Sequence, residues 1–459
     1  MFFLLAAFLC VLYALGSGSR APLRVLAVAW FVSIAPILSG LVAYDFLPYA
    51  DWRLPVALIG FISCFVSGVL LSDLNGNPYC AIPDQSARCL MKDEFVDNTG
   101  VAKACWCIAM IGTACICIDF LALQGAGLDD IAALRDTYVG KSEASVFARL
   151  GSVMTWACLY CFAFAMTYRS QLRPAALAVY MLPIGGFFLV SLFSAGRQAS
   201  FQIMIFTILI LWLNHKRSPA SERKASTRTA AVFAASISSL MIAYMGYIAV
   251  ARNDGNVSDD KVEVLTTLFD LRVNAGFDSI LKSFGTGVRT TVTEAIVYFS
   301  SSIALFSKFL NISFADYSRG AVTFPFFFRQ LEPLTSISVI GALQTKVDAM
   351  TSAGVIGVGW ETGISSYIQD FGILGACLFL FVQGYYTAYV WRRAINGYSF
   401  NDSMIAVVAL AAIVYLPLVA ALSDTNLLLF WIFCIFAAQR GARIKRRRLR
   451  GSTMTINRV

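Results

Sequence analysis

Four arginines stand where long apolar runs stop. Arg197 lies in SLFSAGRQASFQ, between YMLPIGGFFLV and IMIFTILILWL. Arg252 follows the run ending YIAV, Arg272 falls in LFDLRVNAGF, and Arg289 opens the segment leading into AIVYFSSSIALFS. A guanidinium is planar, permanently charged and carries paired N–H donors. Several of them at a membrane boundary therefore suit the oxygens of a phosphate or diphosphate. A lone arginine at a helix end serves equally well as a snorkelling anchor, so convergence separates a ligand site from a row of anchors. Two carboxylates accompany them as candidate bases for a reacting hydroxyl, Glu294 and Glu361. Glu294 precedes Tyr298 by one helical turn and shares its side. Asp370, in SSYIQDFGILG, reads first as a capping acid at the start of a membrane helix, where free amides and the helix dipole favour it.

These residues need a scaffold, and the composition names its class. The chain has 459 residues, 58% hydrophobic and 14% charged, where a soluble protein of this size carries about a quarter charged. Several apolar runs approach the ~20 residues that cross a bilayer as helix. Such runs predict an all-α, polytopic integral membrane protein with helices at 2–16, 22–44, 54–72, 101–123, 147–167, 174–195, 199–214, 230–250, 371–391, 403–421 and 426–439, about 11–12 spans once a missed helix is allowed for. Met1–Gly16 has no basic start and reads as the first of them rather than as a cleaved leader. The twelve cysteines fall mostly inside apolar runs, where cysteine acts as a small hydrophobe. The pairs Cys105/Cys107 and Cys115/Cys117 point to different sides of a helix and predict no metal.

The net charge of +9 would suggest nucleic acid in a soluble chain. Here its placement matters more than its sum, and no nucleic-acid partner is expected. RGARIKRRRLR from Arg440, HKRSPASERKASTR at 215–228, WRR at 391–393 and YRSQLR at 168–173 all fall on one side under this helix count. Lys and Arg beside short loops mark the cytoplasmic side. The expected organisation is N-terminal membrane helices over 1–250, a large outer loop over 251–370, C-terminal membrane helices over 371–439 and a basic cytoplasmic tail over 440–459. The only histidine, His215, then lies inside and is excluded as an outer base.

A loop of about 120 residues needs structure of its own. In DDKVEVLTTLFDLRVNAGFDSILKSF, Val262, Leu265, Phe269, Val273, Phe277, Ile280 and Phe284 recur at three and four, the stripe of one amphipathic helix. Arg272 flanks that stripe; Asp278 and Lys282 lie opposite. AIVYFSSSIALFS, 295–307, is too short to span alone and fits a re-entrant or interfacial helix. The outer segment is cationic throughout, adding Lys261, Lys282, Lys308, Arg319, Arg329 and Lys346 to the four arginines.

No P-loop, dinucleotide fingerprint, HExxH or GxSxG occurs. A transporter or flippase would show paired broken helices and charges at mid-membrane. Most helix interiors here lack charge, with Asp119 near an end.

The layout resembles the Wzy-type O-antigen or oligosaccharide repeat-unit polymerases. SLFSAGRQASF, YMGYIAVARNDG, VYFSSSIALFSKFL and GWETGISSYIQDFGILGACLF carry the likeness, which is architectural and spreads over about residues 100–440. It implies a GT-C-like polymerase or ligase architecture in the bacterial inner membrane, with the large loop periplasmic. The implied substrate is an undecaprenyl-pyrophosphate-linked oligosaccharide, with a chain-length regulator as protein partner and neither metal nor nucleotide sugar required. Arg197 and Arg252, then Arg272 and Arg289, would hold the pyrophosphate, and Glu294 and Glu361 would be the catalytic carboxylates. The related ligases use an outer-loop histidine, which this chain lacks. An O-antigen ligase-like transferase and a polysaccharide or lipid transporter are the alternatives.

Overall fold

The computed structural model describes residues 2–47, 52–75, 84–123, 145–193, 198–217, 260–312, 316–335, 337–352, 362–397 and 399–456, with 232, 235 and 239 besides. Apolar runs too long for a soluble core became helices: α1 (Phe2–Leu15), α2 (Ala21–Leu38), α3 (Arg53–Leu74), α4 (Asp84–Cys117), α5 (Val146–Met154), α6 (Trp156–Thr167), α7 (Pro174–Phe193) and α8 (Gln198–Arg217). The segment over 251–370 supplies α9 (Asp260–Leu268), α10 (Ala275–Ser283), α11 (Thr286–Phe309), α12 (Pro325–Leu331) and α13 (Val339–Ser352). The chain closes with α14 (Gly363–Gly397), α15 (Phe400–Tyr415) and α16 (Thr425–Ile456). Among the described residues, six helices are long and apolar enough to cross a membrane, and four shorter apolar ones stand with them. Leu374, Leu378 and Val382 form an exposed stripe on α14, 86%, 64% and 54% accessible; an aqueous protein rarely keeps such a surface. The chain is a membrane-embedded helical bundle. The expected helix at 230–250 lies, apart from three positions, outside the described residues.

The bundle's two ends are identified by contacts. At one end, Arg20 pairs with Asp73 at 2.8 Å, Trp391 Nε1 donates to the Gly18 carbonyl at 3.0 Å, and Arg392 donates to Ser72 at 2.6 Å. Arg217 donates to the Ala394 carbonyl and Arg393 pairs with Asp402 at the same end. We call this the basic end; α16 continues as helix through the basic run that starts at Arg440. At the far end, Thr155 donates to Asn426 at 2.7 Å, the Gly363 amide donates to the Leu416 carbonyl at 2.8 Å, and Phe201 meets Tyr415 edge-on. The Arg217, Arg392 and Arg440 clusters thus share one end, as their spacing along the helices predicts.

The closest packing joins α3 to α14. These run parallel, because Phe65 lies beside Gly384 and Ser72 beside Arg392. A Cβ on Gly68 would run into the Phe381 carbonyl, and one on Gly384 into the Phe65 carbonyl. Backbones this near need small residues at the seam.

Several expectations change. Helix α2 ends at Leu38 rather than running to 44. Gly40, at φ 67°, donates to Ile37 and the Leu41 amide donates to Pro36, a glycine-terminated cap that satisfies the last carbonyls. Released from helix, Val42–Tyr44 becomes strand β1 and pairs antiparallel with β2, Leu271–Val273.

The single amphipathic helix expected over 259–284 is therefore three elements, α9, β2 and α10. Asp270 turns the chain at φ 44° and accepts the Asp45 amide through its carbonyl. Asn274 then caps α10, its side chain accepting from the Gly276 and Phe277 amides. The apolar stripe divides accordingly: Val262 is buried, while Ile280 and Phe284 are exposed.

Asp370 also differs from its expected role. Helix α14 begins at Gly363, seven residues earlier, and breaks at Gly372, where φ is 70° and ψ 177°. The Asp370 carboxylate accepts the Val322 and Thr323 amides at 3.1 and 2.7 Å. It caps a loop, not its own helix.

Candidate functional site

Helix α11 organises the far end. Its 24 residues extend well past the thirteen-residue apolar run, because TGVRTTVTE ahead of that run is also helical. Ser300 and the Tyr44 hydroxyl share a buried hydrogen bond of 2.7 Å, which ties α11 to β1. Phe306 meets Phe61 of α3, and Lys308 lies 4.1 Å from the centre of the Phe46 ring. The polar first half of α11 is thus held at the end of the bundle while its apolar second half packs against α2 and α3.

Arg289 occupies the first turn of α11, 9% accessible. Its Nε donates to Asp278 Oδ1 at 2.7 Å and its terminal nitrogen to Oδ2 at 3.1 Å, the paired geometry a guanidinium offers a carboxylate. Lys282, one turn along α10, reaches the same carboxylate at 3.1 Å. The Arg289 hydrogen bond, seconded by Lys282, holds the Asp278 carboxyl below its ordinary value against the opposing effect of burial. Following Arg289 on the same helix are Thr290 and Thr293, both buried, with hydroxyls that have no hydrogen-bond partner among the described residues. Glu294 comes next, half-buried, one turn before Tyr298.

Arg272 is on β2, opposite Ala43, and pairs with Asp45 at 2.8 Å in the open, its side chain 76% accessible. Arg289 and Arg272 are therefore at the same end of the bundle, on adjoining elements, each already answered by a carboxylate. Arg197, Arg252 and Glu361 lie outside the described residues.

A second group is built around Asp370, whose partners escaped sequence reading. Asp370, Gln369 and the backbone around them pin residues 318–342 to α14. Besides the two amides on Asp370, the Ser318 amide donates to the Gln369 carbonyl and the Arg319 amide to the Asp370 carbonyl, both at 3.0 Å. Gln369 Nε2 donates to the Ala342 carbonyl of α13 at 2.8 Å. Partners forty-seven and forty-eight residues apart leave no local spacing to read. Asp278 was not read as the partner of Arg289: eleven residues along one straight helix would hold them about 16 Å apart, and only the turn at Phe284–Gly285 between α10 and α11 brings them together.

Among the described residues, no cluster of three His, Cys, Asp or Glu side chains is arranged to hold a metal ion. The far end has a small cavity beside Gln202, Tyr415, Ser423 and Asp424, about 10 Å³ and too tight for more than one water. A cavity of about 730 Å³ opens at the basic end instead, between α4 and α16. No protein-family model, curated protein or solved structure matches this chain.

Proposed function

We propose that the chain is a membrane glycosyltransferase with a GT-C-like architecture that polymerises lipid-linked oligosaccharide repeat units at the outer face of a bacterial inner membrane. One observation supports this most: Arg272, Arg289 and Glu294 share the end of the bundle opposite Arg217, Arg392 and Arg393. If basic clusters face the cytoplasm, the first three face the periplasm, where undecaprenyl-pyrophosphate-linked units would be presented. The C-terminus is then cytoplasmic.

In this reading a sugar hydroxyl of the incoming unit attacks the anomeric carbon at the reducing end of the growing chain. The new C–O bond forms as the bond to phosphate breaks, and undecaprenyl pyrophosphate leaves with the electron pair. The hydroxyl proton passes to a carboxylate, with Glu294 and Glu361 as candidates. Arg289 and Arg272, joined by Arg197 and Arg252, stabilise the charge growing on the leaving group, a contribution of several kcal/mol per well-placed donor. Asp278 and Asp45 hold two of these arginines in place until the diphosphate takes over. A chain-length regulator would be a protein partner.

The experiment is a polysaccharide ladder from a strain whose own copy is replaced by variants at matched expression. Arg289→Ala and Glu294→Gln are expected to leave single repeat units on the surface. Long lipid-bound chains that never reach the final acceptor would show a ligase, and absence of both species outside would show a flippase. Full-length polymer from both variants removes these residues from the site.

A further inference from the structure

Residues 325–347 read PFFFRQLEPLTSISVIGALQTKV, apolar side chains at three and four with few charges between them. Two helices form here. Pro325 opens α12 in its first turn, where a missing amide costs no hydrogen bond. The Ser338 hydroxyl caps α13 by accepting the Gly341 amide at 3.2 Å. Neither helix hides all its large side chains. Phe327 and Leu331, one turn apart on α12, are exposed, as are Ile340, Leu343 and Val347, spaced by three and four along α13. Leu334, in the turn between the helices, is 82% accessible. Single apolar side chains on a surface are ordinary, but six within twenty-one residues mark an interaction face.

The neighbouring face of α13 is committed to the bundle. Val339 and Met350 are buried, Gln369 Nε2 of α14 donates to the Ala342 carbonyl at 2.8 Å, and Lys346 donates to Ser366 at 3.5 Å. Val339, Ala342, Lys346 and Met350 share one side of the helix, and Ile340, Leu343 and Val347 share the next. Gln344 and Asp348, hydrogen-bonded to each other at 2.7 Å, begin the polar side. An apolar flank between a packed face and a polar one suits a helix lying along a boundary of water and hydrocarbon.

Helix α14 fixes the level of that boundary. Residues 362–370 are buried, covered in part by the segment that Asp370 and Gln369 hold. Past the break at Gly372 the lipid-facing stripe starts at once, with Ile373 and Leu374. Arg392, at the basic end, is eighteen positions beyond Leu374, about 27 Å at helical rise and close to the ~30 Å of a hydrocarbon core. Leu374 therefore stands at the hydrocarbon boundary of the leaflet at the far end. Tyr317, exposed and set against Gly372, marks the same level as interfacial tyrosines do. Helix α13 is tied on just ahead of it, through Gln369 and Ser366. We propose that α13 and the turn before it form an interfacial anchor, with Leu334, Ile340, Leu343 and Val347 seated among the acyl chains of that leaflet. The occupant of this face is phospholipid, because the face continues a surface that already meets lipid. The anchor is independent of the glycosyl transfer proposed above.

Photo-crosslinking tests it. The full-length protein carries p-benzoylphenylalanine in place of Leu334, Leu343 or Gln344, with Leu374 as the lipid-facing reference, and is reconstituted in dioleoyl phosphatidylcholine vesicles. All four side chains are exposed, so the probe displaces no packing. After irradiation, mass spectrometry of the peptides reads adducts to lipid and adducts to protein. Leu334 and Leu343 are expected to yield lipid adducts as Leu374 does, several-fold above Gln344. Lipid adducts at Leu343 no more abundant than at Gln344 would overturn the anchor. So would adducts joining Leu343 to protein, whether a second copy of the chain or another segment of the same one.

Discussion

Arg289 and Asp278 join α11 to α10 through two parallel hydrogen bonds of 2.7 and 3.1 Å. The pair closes the turn at Phe284–Gly285 and presents the first turn of α11 at the far end of the bundle. Arg289 and Lys282 themselves cover the carboxylate. Removing the arginine is expected to cost about 1–2 kcal/mol, read as a lowered melting temperature in detergent. Asp278→Asn separates structure from chemistry: a structural clamp loses polymer in both variants, whereas a pyrophosphate-binding arginine loses it only in Arg289→Ala.

The same pair sets a pH dependence. Asp278 has its carboxyl lowered from the ordinary 3.8 by Arg289 first and Lys282 second. A carboxyl with a depressed folded value stabilises above the unfolded value and loses that contribution as pH falls through the folded one. Between neutrality and about pH 4 the contribution is constant; below it, wild type loses melting temperature faster than Asp278→Asn. Parallel curves in that acid range would refute the linkage.

Arg272 supplies the contrasting case. Its pair with Asp45 is in the open, where an ion pair contributes about 0–1 kcal/mol. Arg272→Ala is expected to melt within a degree or two of wild type. A shortened polysaccharide ladder from that variant is then a functional loss, uncontaminated by unfolding.

Asp370 is expected to matter for order around Val322 and Thr323. Its carboxylate satisfies the buried Val322 and Thr323 amides, and leaving each unpaired costs about 1–3 kcal/mol. In Asp370→Ala those two amides should exchange hydrogen for deuterium much faster than in wild type, with Leu380 and Ala388 unaffected. Unchanged protection would show that other contacts hold the loop.

Gly372 is the break in α14. At φ 70° a side chain is strained, and a Cβ there would stand 2.9 Å from the Tyr317 ring. Gly372→Ala is expected to destabilise by about 1–3 kcal/mol. Tyr317→Ala should recover the steric part and leave the backbone part, so a double variant as stable as wild type would contradict the strain.

Much of this was legible from the amino acids. The apolar runs mark α3, α7 and α8 within a few residues, since a stretch that cannot be hydrated must be helical in a bilayer. The placement of Arg217, Arg392 and Arg440 at one end follows from counting those runs. Residues 259–284 misled because a three-and-four periodicity is satisfied equally by two short helices around a strand. The decisive partner of β2 is Val42–Tyr44, more than two hundred residues away.

The sequence alone determined that this protein is a helical membrane bundle and which end carries its basic clusters, because hydrophobicity and charge act on each segment through the solvent it meets. Tertiary structure decided that Arg289 answers Asp278, that Asp370 holds a loop, and that α13 rests on α14 at Gln369. Those are pairings between segments brought together only by packing, and no spacing along the chain encodes the distance between two helices.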